Sequence, residues 1–223
     1  MDAVVVNNLN FKYKNSKEKI INDLSFKIKK GETVALLGNS GSGKSTLCNC
    51  ICGLIPKIYE GEYFGDVIIF GQNIKTMTLS KISQKVGIIF QNPVNQLFSP
   101  TIEDELAFGP ENLCVDREEI GHRIDEVLKL INMEEYRCQN PNNISGGQQQ
   151  LIAIASVLML NPEIIICDEI MSFIDREGKE IIKNLLKNLK ERGKTIIIVD
   201  HDLDNIELAD RTINIEAGLN GKF

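Results

Sequence analysis

Short apolar runs alternate with amphipathic stretches along the chain, a pattern that predicts strands and helices in turn. Over the first thirty residues, apolar and polar positions alternate, which predicts antiparallel strands joined by the polar loop 14–19. Further apolar runs, each long enough for one buried strand, lie at 33–37, 66–70, 86–90, 163–167, 195–199 and 212–216.

Apolar residues at helical spacing occupy much of the remaining chain, at about 101–135, 146–160, 176–191 and 203–209. Strands separated by helical stretches predict a parallel sheet with crossover helices. We therefore expect an α/β fold in a single domain, 1–223. About 1–92 and 160–223 would form an antiparallel β subdomain and a mostly parallel core, and about 93–159 a helical subdomain.

Composition and charge narrow the possible partners. Hydrophobic residues make up 43% and charged residues 25% of the chain, as in ordinary soluble domains. No apolar run approaches the roughly 18 residues of a membrane span, and the N-terminus lacks a secretory signal pattern. The net charge of −6 argues against a nucleic-acid partner. Any role at a membrane would therefore need a membrane-spanning partner.

The six cysteines form no C-x-x-C pair, although Cys48, Cys50 and Cys52 alternate in one segment. A metal cluster there would lack histidine ligands, since the two histidines, His122 and His201, lie far away in sequence. We predict buried, reduced thiols and a cytosolic compartment.

The segment that follows the run 33–37 carries the most specific signal. It matches G-x-x-x-x-G-K-[ST] between a predicted strand and a predicted helix. Glycines let backbone N–H groups surround phosphate oxygens, and the helix N-terminus adds partial positive charge. The pattern assigns Lys44 to the β- and γ-phosphates and the Ser45 hydroxyl to Mg²⁺. The predicted nucleotide-binding residues are Asn39, Ser40, Gly41, Ser42, Gly43, Lys44, Ser45 and Thr46.

Two later segments could also serve phosphate chemistry. Gln91 follows the run 86–90, where an amide can touch Mg²⁺ or an attacking water. Ser145 is the predicted N-cap of the next helix, and Gly146 and Gly147 expose N–H groups at its start. Taken alone, the first segment also fits a polar loop, and the second a capped helix that binds nothing.

Charged and titratable side chains end two of the apolar runs. Asp168 and Glu169 follow one run, where two carboxylates are costly unless a cation or hydrogen bonds meet them. Asp168 can hold Mg²⁺ through water, and Glu169 can orient or deprotonate a water. His201 follows the run 195–199 and can hydrogen-bond a γ-phosphate or the water.

Six features follow one another along the chain: the glycine loop, Gln91, Ile-Ser-Gly-Gly-Gln at 144–148, the apolar-Asp-Glu segment, Asp175 and His201. In this order they resemble the ATP-binding cassette (ABC) ATPases. The resemblance covers essentially the whole chain. The resemblance implies a P-loop NTPase with a RecA-like core that hydrolyses Mg-ATP. It assigns Tyr13 to stacking on adenine and Asp175, in the loop 172–175, to the crossing between two ATP sites. The residues implied to contact ATP held by a second subunit are Ser145, Gly146, Gly147 and Gln148.

A narrower resemblance lies at 90–101 and 103–112, which look like the ATPase subunits of energy-coupling factor (ECF) transporters. These transporters take up vitamins or cobalt and nickel ions. The resemblance implies a peripheral subunit at the cytoplasmic face of the cell membrane. Its partners would be a second ABC ATPase subunit, identical or different, a substrate-binding membrane subunit, and a transmembrane coupling subunit that meets the loop after Gln91.

Three departures from the family pattern leave alternatives open. Ile170 and Met171 stand where the wider family often has Pro-Thr, Leu151 replaces a usual arginine, and the chain ends at Phe223 without the further segment of many ECF ATPases. The last leaves the mode of dimerisation open. The alternatives are another ABC transporter, a soluble ABC protein of translation or DNA repair, and a subunit that binds ATP without hydrolysing it.

Overall fold

The structure is a computed structural model that describes residues 1–172 and 174–215. Contacts within the chain divide it into two compact units. The first comprises Met1–Ile88, Glu163–Asp168 and the described residues from Lys190 onward, and the second comprises Ile89–Pro162 and Glu169–Leu189. The strands and α-helices, in chain order, are β1 (Asp2–Tyr13), β2 (Ile21–Lys29), β3 (Thr33–Leu37), α1 (Lys44–Ile51), α2 (Leu54–Lys57), β4 (Gly61–Ile69), β5 (Gln72–Asn73), α3 (Leu79–Ser83), β6 (Val86–Ile89), α4 (Ile102–Asn112), α5 (Arg117–Leu130), α6 (Gly146–Leu158), β7 (Ile164–Asp168), α7 (Arg176–Glu191), β8 (Thr195–Val199) and β9 (Arg211–Asn214).

An antiparallel sheet in the order β2-β1-β4-β5 lies in the first unit. Val4 of β1 pairs with Ile28 of β2 and with Ile69 of β4, and all three side chains are fully buried. Burial of such a side chain stabilises the fold by about 1.5–3 kcal/mol. The alternation of apolar and polar residues in the first thirty positions therefore predicted these strands correctly.

A second sheet has the order β6-β7-β8-β3-β9, and its β7, β8, β3 and β9 pair in parallel. Every residue of β7 and β8 is buried, including Ile166, which pairs with Ile197. β-Branched residues suit such fully covered strands, and this explains the continuous apolar runs. The prediction of a mostly parallel sheet is therefore confirmed.

The second unit contains α4, α5 and α6, which contact one another. Each helix begins at a side-chain cap, since Thr101, Asp116 and Ser145 accept hydrogen bonds from backbone N–H groups of the first turn. Buried residues such as Leu106 and Ile152 face the interior of this unit. These three helices lie within residues 102–158.

Several predicted elements differ from the observed ones. The helical stretch 101–135 is two helices, separated by a turn in which Cys114 has a φ of 56°. The strand predicted at 66–70 begins earlier, at Gly61. The helix predicted over 203–209 is wrong, because only a single 3-10 turn forms there, at Leu203–Asn205. The last predicted strand is β9, and its expected residue 216 lies outside the described residues.

Candidate functional site

The glycine loop joins β3 to α1 in the first unit. Gly41 and Gly43 have φ angles of 79° and 84°, in the left-handed region that favours glycine. A Cβ at Gly43 would lie 2.8 Å from the carbonyl oxygen of Ile20, and one at Gly38 would collide with the carbonyl oxygen of Ile215. Glycine is therefore required at these positions for the turn that leads the chain into α1.

Cationic and polar groups gather at the start of α1. The Lys44 ammonium lies back over the loop, where Nζ donates to the carbonyl oxygens of Gly38 at 3.0 Å and Asn39 at 3.4 Å. The first N–H groups of a helix have no partner within it, and Ser45 and Thr46 lie in this turn. The buried Ser42 hydroxyl has no hydrogen-bond partner among the described residues. This cluster has the chemistry of a phosphate site.

Tyr13 lies beside the same helix start. Its hydroxyl is 3.3 Å from Oγ1 of Thr46, and its ring packs edge-on against Phe11 with the centroids 4.7 Å apart. Both contacts fix a half-buried aromatic ring at the end of β1. The structure thus brings the predicted adenine-stacking residue to the glycine loop.

Asp168 is the buried last residue of β7, and α1, which carries Ser45, contacts that strand. Burial, with a smaller contribution from the Asp168 charge, raises the pKa of the Cys48 thiol of α1 well above its usual value. A serine hydroxyl and a carboxylate on adjacent elements are the hard oxygen ligands that Mg²⁺ prefers. Among the described residues no group of three histidine, cysteine or acidic side chains could hold a metal, so a cation here would draw its other ligands from phosphate oxygens, water or amides.

His201 follows β8, and its side chain is 75% exposed. Because β3, β7 and β8 are parallel neighbours, their carboxyl ends lie at one edge of the sheet. The structure therefore places the glycine loop, Asp168 and His201 together at that edge, where ligands bind in open α/β sheets.

In the second unit, Gln91 and Glu169 are joined by a hydrogen bond of 2.7 Å from Nε2 of Gln91 to Oε2 of Glu169. Glu169 has a φ of 50°, which is rare for a residue with a side chain. Such a conformation costs of order 1–3 kcal/mol and is concentrated at functional sites.

The helix start at 145–148 forms a complete capping box. Oγ of Ser145 accepts the N–H of Gln148, and Oε1 of Gln148 accepts the N–H of Ser145 at 2.9 Å. Gly146 is exposed, and a Cβ there would meet nothing within 4 Å. The exposed N–H groups of this turn can donate hydrogen bonds to an anion from outside the chain.

Asp175 caps α7 in the same unit, because its Oδ1 accepts the N–H of Gly178 at 2.8 Å. A Cβ at Gly178 would collide with the side chain of Ile174, so glycine is required for this close packing. Phe173, from the same loop, lies outside the described residues.

Sequence reasoning missed two glutamines that hold the residue before Gln91. The Phe90 N–H donates to Oε1 of Gln96 at 3.3 Å, and the Phe90 carbonyl accepts from Nε2 of Gln150 at 3.2 Å. Gln150 lies on α6 and is buried. The sequence contained one indication of this role: the helical periodicity of α6 places Gln150 among its apolar, buried positions.

The chain is similar in sequence and in fold to proteins of known family. Residues 21–172 match the family described as ABC transporter. The chain is 43% identical over 220 residues to a putative ABC transporter ATP-binding protein of Pyrococcus abyssi, covering 98% of this chain and 79% of that protein. It is 42% identical to the energy-coupling factor transporter ATP-binding protein EcfA1 of Mycoplasmopsis synoviae, covering 96% and 80% of the two chains.

Solved structures with the same fold include cbiO1 from Clostridium perfringens, described as part of the ABC transporter complex cbiONQ. Its TM-score is 0.83 at 33% identity, over 97% of this chain and 86% of that one. A dimeric ATP-binding cassette in a post-hydrolysis state with ADP and Pi has a TM-score of 0.82 at 32% identity, over 96% and 95% of the chains. The chain therefore belongs to the ABC transporter family and is one of its ATPases.

Proposed function

We propose that the chain is the ATP-hydrolysing subunit of an ECF-type importer and powers uptake of a vitamin or a transition-metal ion through membrane partners. The observation that carries the proposal is the presence in one chain of a glycine loop at 38–43, a capped helix start at 145–148 and an ordered loop at 92–101 with exposed apolar side chains. The similarity to EcfA1 and to cbiO1 supports the same role.

The first unit would hold Mg-ATP. Lys44 would neutralise the β- and γ-phosphates, and Tyr13 would stack on adenine, while the loop 39–46 donates N–H groups. The proposed ligands of Mg²⁺ from this unit are Ser45 and Asp168, and the resemblance to the ABC ATPases adds Gln91. Once bound, the ion would neutralise charge on the phosphate oxygens, which is its general part in phosphoryl transfer.

The helix start at 145–148 would complete the ATP site of a second ABC subunit. Because the capping box uses oxygen atoms as acceptors, the Ser145 hydroxyl proton and the N–H groups of Gly146 and Gly147 remain able to donate. Two chains arranged head to tail would thus each close the nucleotide site of the other, with Asp175 at the crossing between them. The dimeric cassette structure supports this arrangement.

Hydrolysis would depend on three side chains that position water and phosphate. Glu169 would orient or deprotonate the water, Gln91 would orient Glu169 and the ion, and His201 would hydrogen-bond the γ-phosphate. Phosphoryl transfer requires little covalent chemistry from the protein, so positioning and charge stabilisation account for most of the rate.

The loop 92–101 would receive the transmembrane coupling subunit. Phe98 is 66% exposed and Val94 58%, and the Phe98 ring packs edge-on against Phe108 with the centroids 4.7 Å apart. The buried Glu105 carboxylate accepts the N–H groups of Phe98 and Ser99 at 2.9 and 2.8 Å, which holds these residues in place. Exposed, ordered aromatic side chains are typical of protein interfaces.

Such a subunit would act as a peripheral protein at the cytoplasmic face of the membrane, with a second ABC ATPase subunit, a coupling subunit and a substrate-binding membrane subunit as partners. No helix among the described residues is long and apolar enough to cross a membrane. The net charge of −6 does not favour a nucleic-acid partner.

ATP turnover tests the hydrolytic part of the proposal. Glu169→Gln should bind ATP normally and hydrolyse it about 10²- to 10⁴-fold more slowly, because a general base is lost. Glu134→Gln, an exposed glutamate of the same unit, is the matched control and should be unaffected. Equal turnover in wild type and Glu169→Gln would contradict the assigned role.

Co-purification in detergent tests the membrane part. The tagged chain should retain a multispanning membrane protein, identified by mass spectrometry, together with a substrate-binding membrane protein. Phe98→Ser should weaken that retention, whereas Leu130→Ser, a change at another exposed apolar residue of the second unit, should not. Recovery of ribosomes instead, or equal retention by both variants, would refute the proposed coupling surface.

A further inference from the structure

The loop that follows β8 is organised around one carboxylate. Asp200 is only 3% exposed, and its oxygens accept three hydrogen bonds from the loop itself. Oδ1 accepts the N–H of His201 at 2.8 Å and that of Asp202 at 3.0 Å, while Oδ2 accepts Nδ2 of Asn205 at 2.8 Å. The backbone of residues 200–205 therefore wraps around this side chain.

A buried carboxylate is costly unless it is well hydrogen-bonded. Here three donors surround it, and bonds to a charged acceptor are about twice as strong as neutral ones. Asn205 is itself buried, with 4% exposure, so its amide is held inside the loop as a fixed partner of Asp200. This arrangement fixes the backbone path of the loop with local bonds and explains why the helix expected over 203–209 does not form.

His201 is anchored through its main chain and not through its ring. Its N–H is bound by Asp200, whereas Nδ1 lies 3.8 Å from Oδ1 of Asp200, beyond hydrogen-bond length. The imidazole is exposed, and neither ring nitrogen has a hydrogen-bond partner among the residues that the structure describes. A side chain presented in this way is pre-organised to meet a ligand without ordering its own loop.

We propose that Asp200, paired with Asn205, is a positioning residue that holds His201 in the place where it meets the γ-phosphate. The inference rests on the role proposed above for His201. Asp200 is buried and bonded to its own loop, so its effect on hydrolysis would pass through the backbone of residue 201.

The substitution Asp200→Asn isolates the hydrogen-bond pattern, because asparagine has nearly the same shape. One oxygen could still accept the two backbone N–H groups, but the new amide would face Nδ2 of Asn205, donor against donor. The double variant Asp200→Asn/Asn205→Asp restores a donor–acceptor pair at the same place. Asp204→Asn removes an exposed charge from the same loop and serves as the control.

ATP turnover of the 223-residue chain is measured for each variant over a range of ATP concentrations. We expect kcat to fall about tenfold in Asp200→Asn, as displacement of a positioned group predicts. KM for ATP should stay within about twofold, because the glycine loop is untouched. The double variant should recover at least half of the wild-type kcat, and Asp204→Asn should keep all of it.

A double-mutant cycle with His201→Ala separates a role through histidine from general damage to the fold. In the His201→Ala background, Asp200→Asn should cause no further fall in kcat. A further tenfold fall there, full kcat in Asp200→Asn alone, or no recovery in the double variant would each overturn the inference. If His201→Ala itself turns over ATP at the wild-type rate, the role proposed for His201 fails too. A slow His201→Ala with a normal Asp200→Asn refutes only the inference about Asp200.

Discussion

Nε2 of Gln91 donates a hydrogen bond of 2.7 Å to Oε2 of Glu169, so one carboxylate oxygen of the proposed base is held by an amide. The bond orients a side chain whose backbone already adopts a left-handed conformation. It also ties the chain just after β6 to the chain just after β7. A change in the position of Gln91 would therefore alter the orientation of Glu169 directly.

Loss of this orientation should slow hydrolysis. We expect Gln91→Ala to lower kcat by about 10- to 100-fold, because Glu169 would sample positions that do not meet the water. KM for ATP should change less, since Lys44 and the glycine loop are unaltered. Steady-state ATPase assays give both quantities, and Gln84→Ala, at an exposed glutamine, is the control. A normal kcat in Gln91→Ala would mean that the observed bond has no catalytic consequence.

If a second subunit completes each ATP site, the rate of ATP hydrolysis per chain should depend on the chain concentration. Turnover per chain should rise with chain concentration, because dilute chains lack the helix start at 145–148 of a neighbour. Gly147→Asp should abolish the rise, since a carboxylate would repel phosphate oxygens. Gly121→Asp, at a half-buried position of α5 with nothing within 4 Å of an added Cβ, should leave it intact. A turnover per chain that does not depend on concentration would contradict a shared site.

The six cysteines should fall into two reactivity classes. Cys114 and Cys138 are exposed, whereas Cys48, Cys50, Cys52 and Cys167 are buried. Burial raises the pKa of Cys52 to about 11 and that of Cys167 to about 12, so few thiolates form there near neutral pH. A chromogenic disulfide reagent at about pH 8 should thus count two fast thiols in the native chain and six after denaturation. Fast reaction of more than two would refute the burial.

The ion pair between Lys190 and Asp210, next to the start of β3, should make the free energy of unfolding depend on pH. Asp210 lies 2.7 Å from Nζ of Lys190, and its Oδ2 accepts the N–H of Thr33 at 2.9 Å. The hydrogen bond from Lys190, followed by that from Thr33, lowers the pKa of Asp210. A carboxyl with a lowered folded-state pKa adds stability above its unfolded pKa, and this contribution is lost as the pH falls through the folded value.

The variant Asp210→Asn should therefore be less stable than wild type at pH 7 by about 0.2–1 kcal/mol, the range measured for exposed ion pairs. The difference should shrink once the pH falls below about 3.9, the ordinary value for aspartate. Urea titrations at several pH values measure it. If the difference in free energy of unfolding between the two proteins grew as the pH fell, the pKa of Asp210 would be raised and not lowered by folding.

The order of elements could be predicted from the sequence because parallel strands such as β7 and β8 are buried on both faces and appear as unbroken apolar runs. The glycine loop could be predicted for a different reason: Gly43 adopts a backbone angle that few other residues tolerate, so its identity reports its conformation. Both signals are local, and a single chain therefore suffices to detect them.

The loop after β8 could not be predicted in the same way. The spacing of apolar residues over 203–209 fits a helix, but a carboxylate at 200 and an amide at 205 supply the competing hydrogen bonds that fold a turn. Gln96 and Gln150 were missed for a similar reason. Their partners are backbone groups of Phe90, which are identical in every residue and leave no trace in a sequence.

The two glutamines that hold Phe90 have a mechanical consequence. Where β6 ends at Ile89, the next residue already has both of its main-chain groups satisfied by side chains, so the strand end does not depend on residue 91 for hydrogen bonding. A change in the conformation of the Gln91 side chain would break its bond to Glu169 without removing either hydrogen bond of Phe90. We therefore expect Phe90 to keep both main-chain hydrogen bonds whether or not Gln91 is bonded to Glu169.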